Sequence, residues 1–222
     1  MSNKGVLFIV SGASATGKDT VIAQVMKKYG AKAKLSVSMT TREPRGNEKD
    51  GENYFFVSEE QFDKNILENK MLEYAKYGNH YYGTPAEPVK KWLSEGKIVF
   101  LIIEVQGAAI VRANFPEARS IFVLPPSMKA LEERLRKRGT EDEDAIKRRL
   151  CIAQGELQRA EEYDYIVMND ILEKAVEDVT SICQYEYKIK NNTVISVKSV
   201  QDAEKLKKDN MIKIISEVIS NA

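Results

Sequence analysis

The chain has 222 residues, of which 43% are hydrophobic and 30% are charged, and its formal net charge is +1. These values are typical of an ordinary globular protein and exclude a global basic field that would attract nucleic acid. Cys151 and Cys183 lie far apart without metal-ligand spacing, so we interpret them as reduced thiols of a cytosolic protein. The N-terminus runs directly into a short apolar segment, and we expect neither a signal peptide nor a membrane span.

A glycine-bounded loop follows the first apolar segment, Val6–Val10, and precedes a helical pattern over about 17–29. The loop and the first helical turn read Gly12, Ala13, Ser14, Ala15, Thr16, Gly17, Lys18, Asp19 and Thr20. A strand, a glycine-bounded loop and a helix form the setting of a P-loop, whose backbone N–H groups surround a phosphate. Lys18 is expected to reach the outer phosphates, and Thr20 could offer a hydroxyl near magnesium. The pattern therefore predicts a nucleoside triphosphate site.

The position directly after Lys18 departs from the usual P-loop, which has Ser or Thr there. This chain has Asp19, and the hydroxyl comes one residue later, at Thr20. An acidic residue in the first helical turn is also favourable on structural grounds, because it faces the positive end of the helix dipole.

The segment after the first helix predicts an inserted subdomain, with strands at Leu35–Met39 and Tyr54–Val57 and a helix at Glu59–Asn69. Two arginines, Arg42 and Arg45, lie three residues apart, and their guanidinium groups suit a terminal phosphate. Four further side chains of this region and the next strand could donate to a phosphate or accept hydrogen bonds from guanine: Tyr54, Tyr82, Glu73 and Glu104. Each of these could instead be structural, the tyrosines as core aromatics and Glu73 as a surface charge.

Apolar segments and helical patterns alternate through the rest of the chain. Buried parallel strands are predicted at Ile98–Ile103, Ser120–Leu124 and Tyr165–Met168, and helices at about 86–95, 127–138 and 142–162. This alternation predicts an α/β fold with a parallel sheet flanked by helices.

The helix pair over 127–162 is rich in arginine. Arg134, Arg136, Arg138, Arg148 and Arg149 all lie within it. Glutamates on the same helices favour a solvated face, whereas a nearby phosphate site favours arginines that stabilise a moving phosphoryl group.

The C-terminal segment predicts a hairpin, with strands at 185–189 and 194–197 around Asn191-Asn192. A helix follows, with one apolar face made of Met211, Ile212, Ile215, Val218 and Ile219. We expect this tail to pack on its own core, with a subunit contact as the alternative.

Several short motifs occur together and in order over roughly residues 4–185. They are the loop Gly12–Thr20, Ser-Val-Ser-Met-Thr-Thr-Arg-Glu-Pro-Arg, Gly-Glu-Asn-Tyr-Phe-Phe-Val, Leu-Glu-Tyr-Ala, Tyr-Tyr-Gly-Thr-Pro, Glu-Val-Gln-Gly, Pro-Pro-Ser, Arg-Leu-Arg-Lys-Arg-Gly-Thr and Asn169-Asp170. In this combination the chain resembles the guanylate kinase family of P-loop nucleoside monophosphate kinases.

The resemblance implies phosphoryl transfer from ATP to GMP, and also to dGMP, with Mg²⁺ accompanying ATP. The residues it implies for ATP are Gly12, Ala13, Ser14, Ala15, Thr16, Gly17, Lys18, Asp19, Thr20 and Asn169. Those it implies for GMP are Ser38, Glu73, Thr84 and Glu104 for the base, and Arg42, Arg45, Tyr54 and Tyr82 for the phosphate. Lys18 and Arg42 are implied to be catalytic, together with Arg134, Arg138 and Arg149 of the lid.

The resemblance also implies a division of the chain. A guanylate-kinase-like domain at 1–185 comprises a core (1–34, 91–125 and 158–185), a GMP-binding insert (35–90) and a lid (126–157), and 186–222 is an extension. We expect a cytoplasmic enzyme of purine salvage, a monomer or homodimer, with ATP and GMP as its partners and no nucleic acid or membrane.

The chain departs from the family pattern at the end of one predicted strand and in the P-loop. Ile102 replaces the first acid of the family's Asp-x-Asp, which removes one expected helper for magnesium, while Glu104 keeps the second carboxylate. Ala13 stands where proline is usual, and Asp19 stands where Ser, Asn or Gly is common. Asp19 could partly replace the missing acid near the metal, or it could repel phosphate.

Two other functions remain open at this point. One is a non-catalytic guanylate-kinase-like interaction domain, although such domains typically lose the lysine that is present here as Lys18. The other is a kinase of the same fold with a different phosphorylated acceptor, against which Glu73 and Ser38 favour guanine.

Overall fold

A computed structural model of the chain describes residues 3–139 and 142–220, without the side chains of Tyr77, Arg138 and Ser220. From the N-terminus to residue 114, the elements are β1 (Val6–Ser11), α1 (Lys18–Tyr29), β2 (Ala33–Leu35), β3 (Met39–Thr40), β4 (Phe55–Phe56), α2 (Glu59–Leu67), β5 (Met71–Tyr77), β6 (His80–Pro85), α3 (Ala86–Ser94), β7 (Ile98–Ile102) and α4 (Val105–Asn114). They continue with β8 (Arg119–Leu124), α5 (Met128–Arg138), α6 (Glu143–Leu157), β9 (Tyr165–Met168), α7 (Leu172–Lys190), α8 (Val197–Glu204) and α9 (Lys208–Ser220).

The chain divides into two compact units, the first made of Met1–Ile9 and Ala31–Ala118 and the second of Val10–Gly30 and Arg119–Ala222. Strand β1 contributes to both. Its six residues are all buried, as expected for an apolar strand covered on both faces. In the first unit the strand order is β2-β7-β1, and in the second it is β1-β8-β9. The pairs β2–β7 and β8–β9 are parallel, which confirms the predicted α/β class.

The first unit also holds a smaller sheet with the order β4-β3-β6-β5. Strands β5 and β6 pair antiparallel, with Glu73 opposite Thr84, and Tyr82 of β6 lies opposite Thr40 of β3. Helix α2, which follows β4, begins at a cap in which Ser58 Oγ accepts a hydrogen bond from the backbone N–H of Gln61. This register decides which side chains of the insert become neighbours.

The structure differs from the sequence prediction in the insert and after β7. Of the predicted strand Leu35–Met39, Leu35 ends β2 and Met39 begins β3 in a different sheet, and residues 36–38 belong to no strand. The antiparallel pair β5–β6 and helix α4 were not predicted at all, because their apolar residues have no sustained period.

The predicted C-terminal hairpin is wrong. Residues 185–189 continue helix α7, and Asn192, with φ of 50°, lies just beyond its end. The alternation of the segment suggested a strand, but Val179, Ile182 and Glu186 are buried on one helical face. Glu186 accepts hydrogen bonds from Arg119 Nε at 2.8 Å and from Tyr165, so its burial is compensated.

The expectation that the tail packs on its own core is confirmed. Ile166 N–H donates to the Leu206 carbonyl at 2.8 Å, and Lys208 N–H donates to the Asp164 carbonyl at 3.1 Å. Ala203 of α8 and Ile215 of α9 are fully buried, whereas Ile212, predicted on the same face as Ile215, is exposed. These contacts make the extension part of the second unit.

Both cysteines are free, with Cys183 buried in α7 and Cys151 exposed. Across the described ranges 3–139 and 142–220, no helix combines the length and apolar character needed to cross a membrane.

Candidate active site

The glycines that bound the phosphate loop are required by its shape. Gly12 has φ of 156°, and a Cβ there would lie 2.5 Å from the Val123 carbonyl oxygen. Gly17 has φ of 84°, and a Cβ there would lie 2.5 Å from Asn169 Nδ2. Contacts below 3 Å with backbone or with a packed side chain exclude any larger residue. Between the two, Ala15 adopts φ of 67°, a left-handed conformation that is uncommon outside glycine.

The carbonyl of Thr16 is the anchor of the loop. It accepts hydrogen bonds from Asn169 Nδ2 at 2.7 Å and from Arg134 Nη1 at 3.2 Å. The Thr16 hydroxyl donates to the Ala13 carbonyl at 2.9 Å, and the residue is fully buried. Two separate elements, the end of β9 and helix α5, therefore hold one peptide of the loop.

Helix α1 begins directly at Lys18, after Gly17 as a cap that makes no side-chain hydrogen bond. A helix N-terminus carries partial positive charge and favours phosphate. Lys18 is half-buried, whereas Asp19 and Thr20 are exposed on the same turn. The loop thus ends in a cationic side chain followed by two exposed side chains that carry oxygen.

The arginines of α5 and α6 differ in their surroundings. Arg149 Nη1 donates to Ser14 Oγ at 2.7 Å, and Arg134 Nη2 donates to the Asn169 carbonyl at 2.7 Å. Arg136 instead pairs with Glu132 and Glu143 on the surface. The side chain of Arg138 lies outside the described part of the structure. Arg134 and Arg149 thus contact the loop Gly12–Gly17.

In the first unit, Arg42 is the centre of a cluster of charged and aromatic side chains. It is only 7% exposed. Its Nη1 and Nη2 donate to the two carboxylate oxygens of Glu48 at 2.9 and 3.0 Å, and Nη1 also donates to the Glu43 carbonyl at 2.6 Å. The pKa of Glu48 is lowered, chiefly by these hydrogen bonds from Arg42. A bidentate pair of this kind fixes the plane of the guanidinium.

The two predicted tyrosines lie beside Arg42. Its guanidinium carbon is 5.4 Å from the ring centroid of Tyr54, and the Tyr54 and Tyr82 rings meet edge to face at 5.9 Å. The pKa of Arg42 is raised, first by Glu48 and further by Tyr82. Arg45 is exposed, and its backbone N–H donates to Glu48 Oε2 at 2.8 Å. Arg42, Tyr54 and Tyr82 are therefore one group, with Arg45 on the adjoining turn.

Glu73 and Thr84 form a second group. The Thr84 hydroxyl donates to Glu73 Oε1 at 2.7 Å, and Glu73 is 5% exposed. Burial raises the pKa of Glu73, and the hydrogen bonds from Thr84 oppose that shift only in part. A Cβ at Gly107 would lie 2.7 Å from Glu73 Oε2, so glycine in the first turns of α4 makes room for the carboxylate. The alternative that Glu73 is a surface charge is wrong.

The other two residues implied for the base are less enclosed. Ser38 is half-buried ahead of β3, and its carbonyl accepts a hydrogen bond from Phe55 N–H at 2.9 Å. Glu104 caps α4 and is exposed. No hydrogen bond among the described residues joins either of them to Glu73.

Ile102, the departure from the family pattern, is the half-buried last residue of β7. Groups of three or more His, Cys, Asp and Glu side chains suited to a metal are absent from the described residues. Asp19 and Thr20 carry exposed side-chain oxygens just after the loop. Such a set fits Mg²⁺, which in kinases is held by few protein ligands together with water and substrate phosphates.

Two residues of these groups were not assigned a role from the sequence. Glu48 lies in the polar turn between the predicted strands, and only its position six residues after Arg42 could have suggested a partner. Gly107 belongs to the quoted Glu-Val-Gln-Gly motif, where its spacing from Glu104 was the available signal.

The known proteins that this chain resembles are guanylate kinases. The guanylate kinase family model matches residues 4–186. The chain is 47% identical to the guanylate kinase of a Synechocystis species over 181 residues, which are 82% of this chain and 94% of that protein. It is 44% identical to the guanylate kinase of Lactobacillus acidophilus over 202 residues, covering 91% and 96%. The crystal structure of guanylate kinase from Anaplasma phagocytophilum is similar with a TM-score of 0.71 at 26% identity, covering 91% of this chain and 96% of that chain. The chain belongs to the guanylate kinase family.

Proposed function

We propose that this protein transfers the terminal phosphoryl group of ATP to GMP, and likewise to dGMP, giving ADP and GDP or dGDP. The observation that carries the proposal is the buried Glu73–Thr84 pair beside Gly107, in a family member that retains Lys18 at the start of α1. The buried carboxylate of Glu73 suits a guanine base, and Lys18 at the start of a helix suits a triphosphate. This activity belongs to purine nucleotide salvage and GTP supply.

The donor site we propose is the loop Gly12–Gly17 with Lys18. Its backbone N–H groups bind the ATP phosphates, and Lys18 adds a point charge on the outer ones. Asn169 contributes from the end of β9, and its amide also holds the loop through the Thr16 carbonyl. The left-handed backbone at Ala15 and Gly17 is then maintained by contacts that do not depend on the nucleotide.

The acceptor phosphate is bound by Arg42, Arg45, Tyr54 and Tyr82. Arg42 is buried and oriented by Glu48, whereas Arg45 is exposed on a turn and can move toward the phosphate. Guanidinium groups bind phosphate oxygens through paired hydrogen bonds, and phenolic hydroxyls add single ones.

The base is read by Ser38, Glu73, Thr84 and Glu104. The ionised Glu73 carboxylate accepts two hydrogens from the guanine N1–H and exocyclic amine, and adenine cannot offer that pair. With Thr84 on Oε1, Glu73 keeps lone pairs for the base on both oxygens. A site built around such a hydrogen-bonding pattern discriminates strongly against bases that lack it.

Transfer is direct and in line, without a protein nucleophile. The protein brings two anionic nucleotides together and neutralises their charge. Arg134, Arg138 and Arg149 supply positive charge to the moving phosphoryl group, and Lys18 and Arg42 do so from the two phosphate sites. Mg²⁺ bound with ATP neutralises phosphate charge, and Thr20 and Asp19 are the residues that would hold it.

The functional division we propose follows the sequence prediction, with a core (1–34, 91–125 and 158–185), a GMP-binding insert (35–90), a lid (126–157) and an extension (186–222). The enzyme works in the cytoplasm, as a monomer or homodimer, on small-molecule substrates.

The test is a coupled assay of ADP release across GMP, dGMP, AMP, CMP and UMP. We expect turnover with GMP and dGMP and at most trace turnover with the others. Binding of guanine nucleotides without ADP release would instead indicate the non-catalytic interaction domain. Turnover with another acceptor would contradict the assignment of Glu73 to guanine.

A further inference from the structure

The hydrogen bonds of Arg42 leave one edge of its guanidinium unused. The edge formed by Nη1 and Nη2 is occupied by both oxygens of Glu48, and the other hydrogen of Nη1 points to the Glu43 carbonyl. The buried Nε has no hydrogen-bond partner among the described residues. A guanidinium has two edges that can bind an anion in bidentate fashion, and the second is made by Nε and Nη2. The Tyr82 hydroxyl also contacts this guanidinium and contributes to its raised pKa, but among the described residues Nε itself, a buried donor of a 7% exposed side chain, has no acceptor.

A single carboxylate sets this orientation. Glu48 accepts three N–H groups, from Nη1 and Nη2 of Arg42 and from the backbone of Arg45 at 2.8 Å. The turn is closed in addition by Glu48 N–H, which donates to the Arg45 carbonyl at 3.0 Å. Glu48 thus ties the turn that carries Arg45 to the guanidinium of Arg42. The aromatic face of Tyr54, 5.4 Å from the guanidinium carbon, limits motion out of the plane.

We propose that Glu48 is a positioning residue for the acceptor phosphate: it holds one edge of Arg42 so that the Nε–Nη2 edge receives the phosphate of GMP. The inference rests on the proposed function, because it assumes that GMP is the acceptor. Glu48 does not touch the nucleotide and acts through Arg42.

The opposite interpretation is that Glu48 competes with the phosphate for Arg42. The two edges of the guanidinium favour the positioning role over competition. Glu48 occupies the Nη1–Nη2 edge, whereas the unpartnered Nε belongs to the Nε–Nη2 edge. Without Glu48, Arg42 would be a nearly buried cation lacking a counter-charge, and it would turn toward solvent or other acceptors. Preorganisation of this kind increases affinity, because the bound orientation already exists in the free protein.

The test compares Glu48→Gln with Glu52→Gln, a matched change at an exposed glutamate of the same turn region that pairs with Lys49. GMP and guanosine binding are measured by calorimetry. We expect Glu48→Gln to weaken GMP binding about tenfold, as for loss of a charge-assisted pair, and guanosine binding by less than about twofold. Glu52→Gln should change neither. The apparent KM for GMP should rise by the same factor, with the KM for ATP unchanged.

A double-mutant cycle separates positioning from a general structural role. In the Arg42→Ala background, Glu48→Gln should weaken GMP binding by less than about twofold further, because its effect passes through Arg42. If Glu48→Gln melts at a lower temperature than the wild type, Glu48→Asp keeps the charge and should bind GMP with intermediate affinity.

Unchanged or tighter GMP binding in Glu48→Gln, or additive losses in the cycle, would overturn the inference while leaving the proposed function intact. Failure of the proposed function has a different signature, because the wild type would then release no ADP with GMP.

Discussion

The phosphate loop and the Arg42 cluster show two ways of building an anion site. The loop is nine consecutive residues, Gly12–Thr20, whose shape depends on glycine at two positions and on a helix that starts at its end. The cluster is made of side chains from β6 and from the segment between β3 and β4. Strand register brings them together, and Glu48 neutralises the charge of Arg42 before a ligand binds. A site made from backbone is determined locally, whereas one made from side chains depends on the sheet around it.

The two regions also differ in how much of the binding geometry exists before a ligand arrives. In the cluster, Arg42 is buried and paired, so its orientation is set. At the loop, the Thr16 carbonyl is anchored from outside, while Lys18 is only half-buried at the helix start. Loss of a side chain at the loop should therefore affect chemistry, and loss at the cluster should affect binding.

The largest expected effect is that of Lys18→Ala. Its charge acts on the phosphoryl group as it is transferred, so its removal should lower kcat by at least about 10²-fold. Steady-state assays at saturating ATP and GMP measure this, with Lys28→Ala on the exposed last turn of α1 as the control. A native circular dichroism spectrum combined with turnover within a few-fold of the wild type would show that Lys18 is not at the phosphate site.

The next largest effect is expected for Glu73→Gln. Glu73 belongs to the Glu73–Thr84 group, which is built from side chains, as the Arg42 cluster is. The amide cannot accept both guanine donors, and one charge-assisted interaction is lost, so the KM for GMP should rise about 10- to 100-fold. The KM for ATP should change little. Glu60→Gln, an exposed acid in the first turn of α2, is the control. Unchanged GMP kinetics would remove Glu73 from the base pocket.

The raised pKa of Glu73 predicts that guanosine binding depends on pH. Burial favours the protonated form in the free protein. Only the ionised form accepts two hydrogens from guanine, so guanosine affinity should fall as the pH is lowered through this raised pKa. Guanosine is the appropriate ligand because it has no phosphate to titrate. Binding to Glu73→Gln should lack this dependence, and an equal dependence in both proteins would assign it to another group.

Arg45→Ala should have a smaller effect than loss of a buried group, since Arg45 is exposed. We expect GMP to bind about tenfold more weakly, while guanosine binding stays the same, because only the phosphate contact is lost. Calorimetry with both ligands measures the difference, and Lys49→Ala is a control in the same exposed turn. Equal losses of affinity for GMP and guanosine would show that Arg45 stabilises the fold and does not bind the phosphate.

The smallest expected effect concerns Asp19 and the departure at Ile102. If Asp19 partly replaces the missing acid, Asp19→Ser should raise the magnesium concentration for half-maximal rate by up to about fivefold, as for an exposed charge. Ile102→Asp should partly reverse this in the double variant, if the end of β7 tolerates a charge. Asp209→Ser, in the first turn of α9, controls for a helix-start charge. Identical magnesium dependence in Asp19→Ser and the wild type would leave Asp19 as a helix-start charge only.

The sequence by itself determined the loop Gly12–Thr20, the α/β class and the extents of helices such as α1 and α5. These depend on local rules, namely the conformational freedom of glycine, the helical period and the burial of short apolar strands. The family motifs further indicated most of the residues that lie together, including Arg42 with Tyr54 and Glu73 with Thr84. The same local rules misread residues 185–189 as a strand, because their alternation is also compatible with a helix.

Only the tertiary structure decided which of these side chains are in contact and how each is buried and hydrogen-bonded. The pairing of Glu73 with Thr84 depends on the register of β5 and β6. The space for the Glu73 carboxylate depends on Gly107, which lies beside it in the fold but in a helix far along the sequence. The hydrogen bonds between Arg42 and Glu48 depend on the conformation of the turn between β3 and β4. Glu186 can be buried in helix α7 because Arg119 and Tyr165 donate hydrogen bonds to its carboxylate. Contacts between residues far apart in sequence leave no periodic trace in the chain, since they depend on strand register and packing rather than on neighbouring residues.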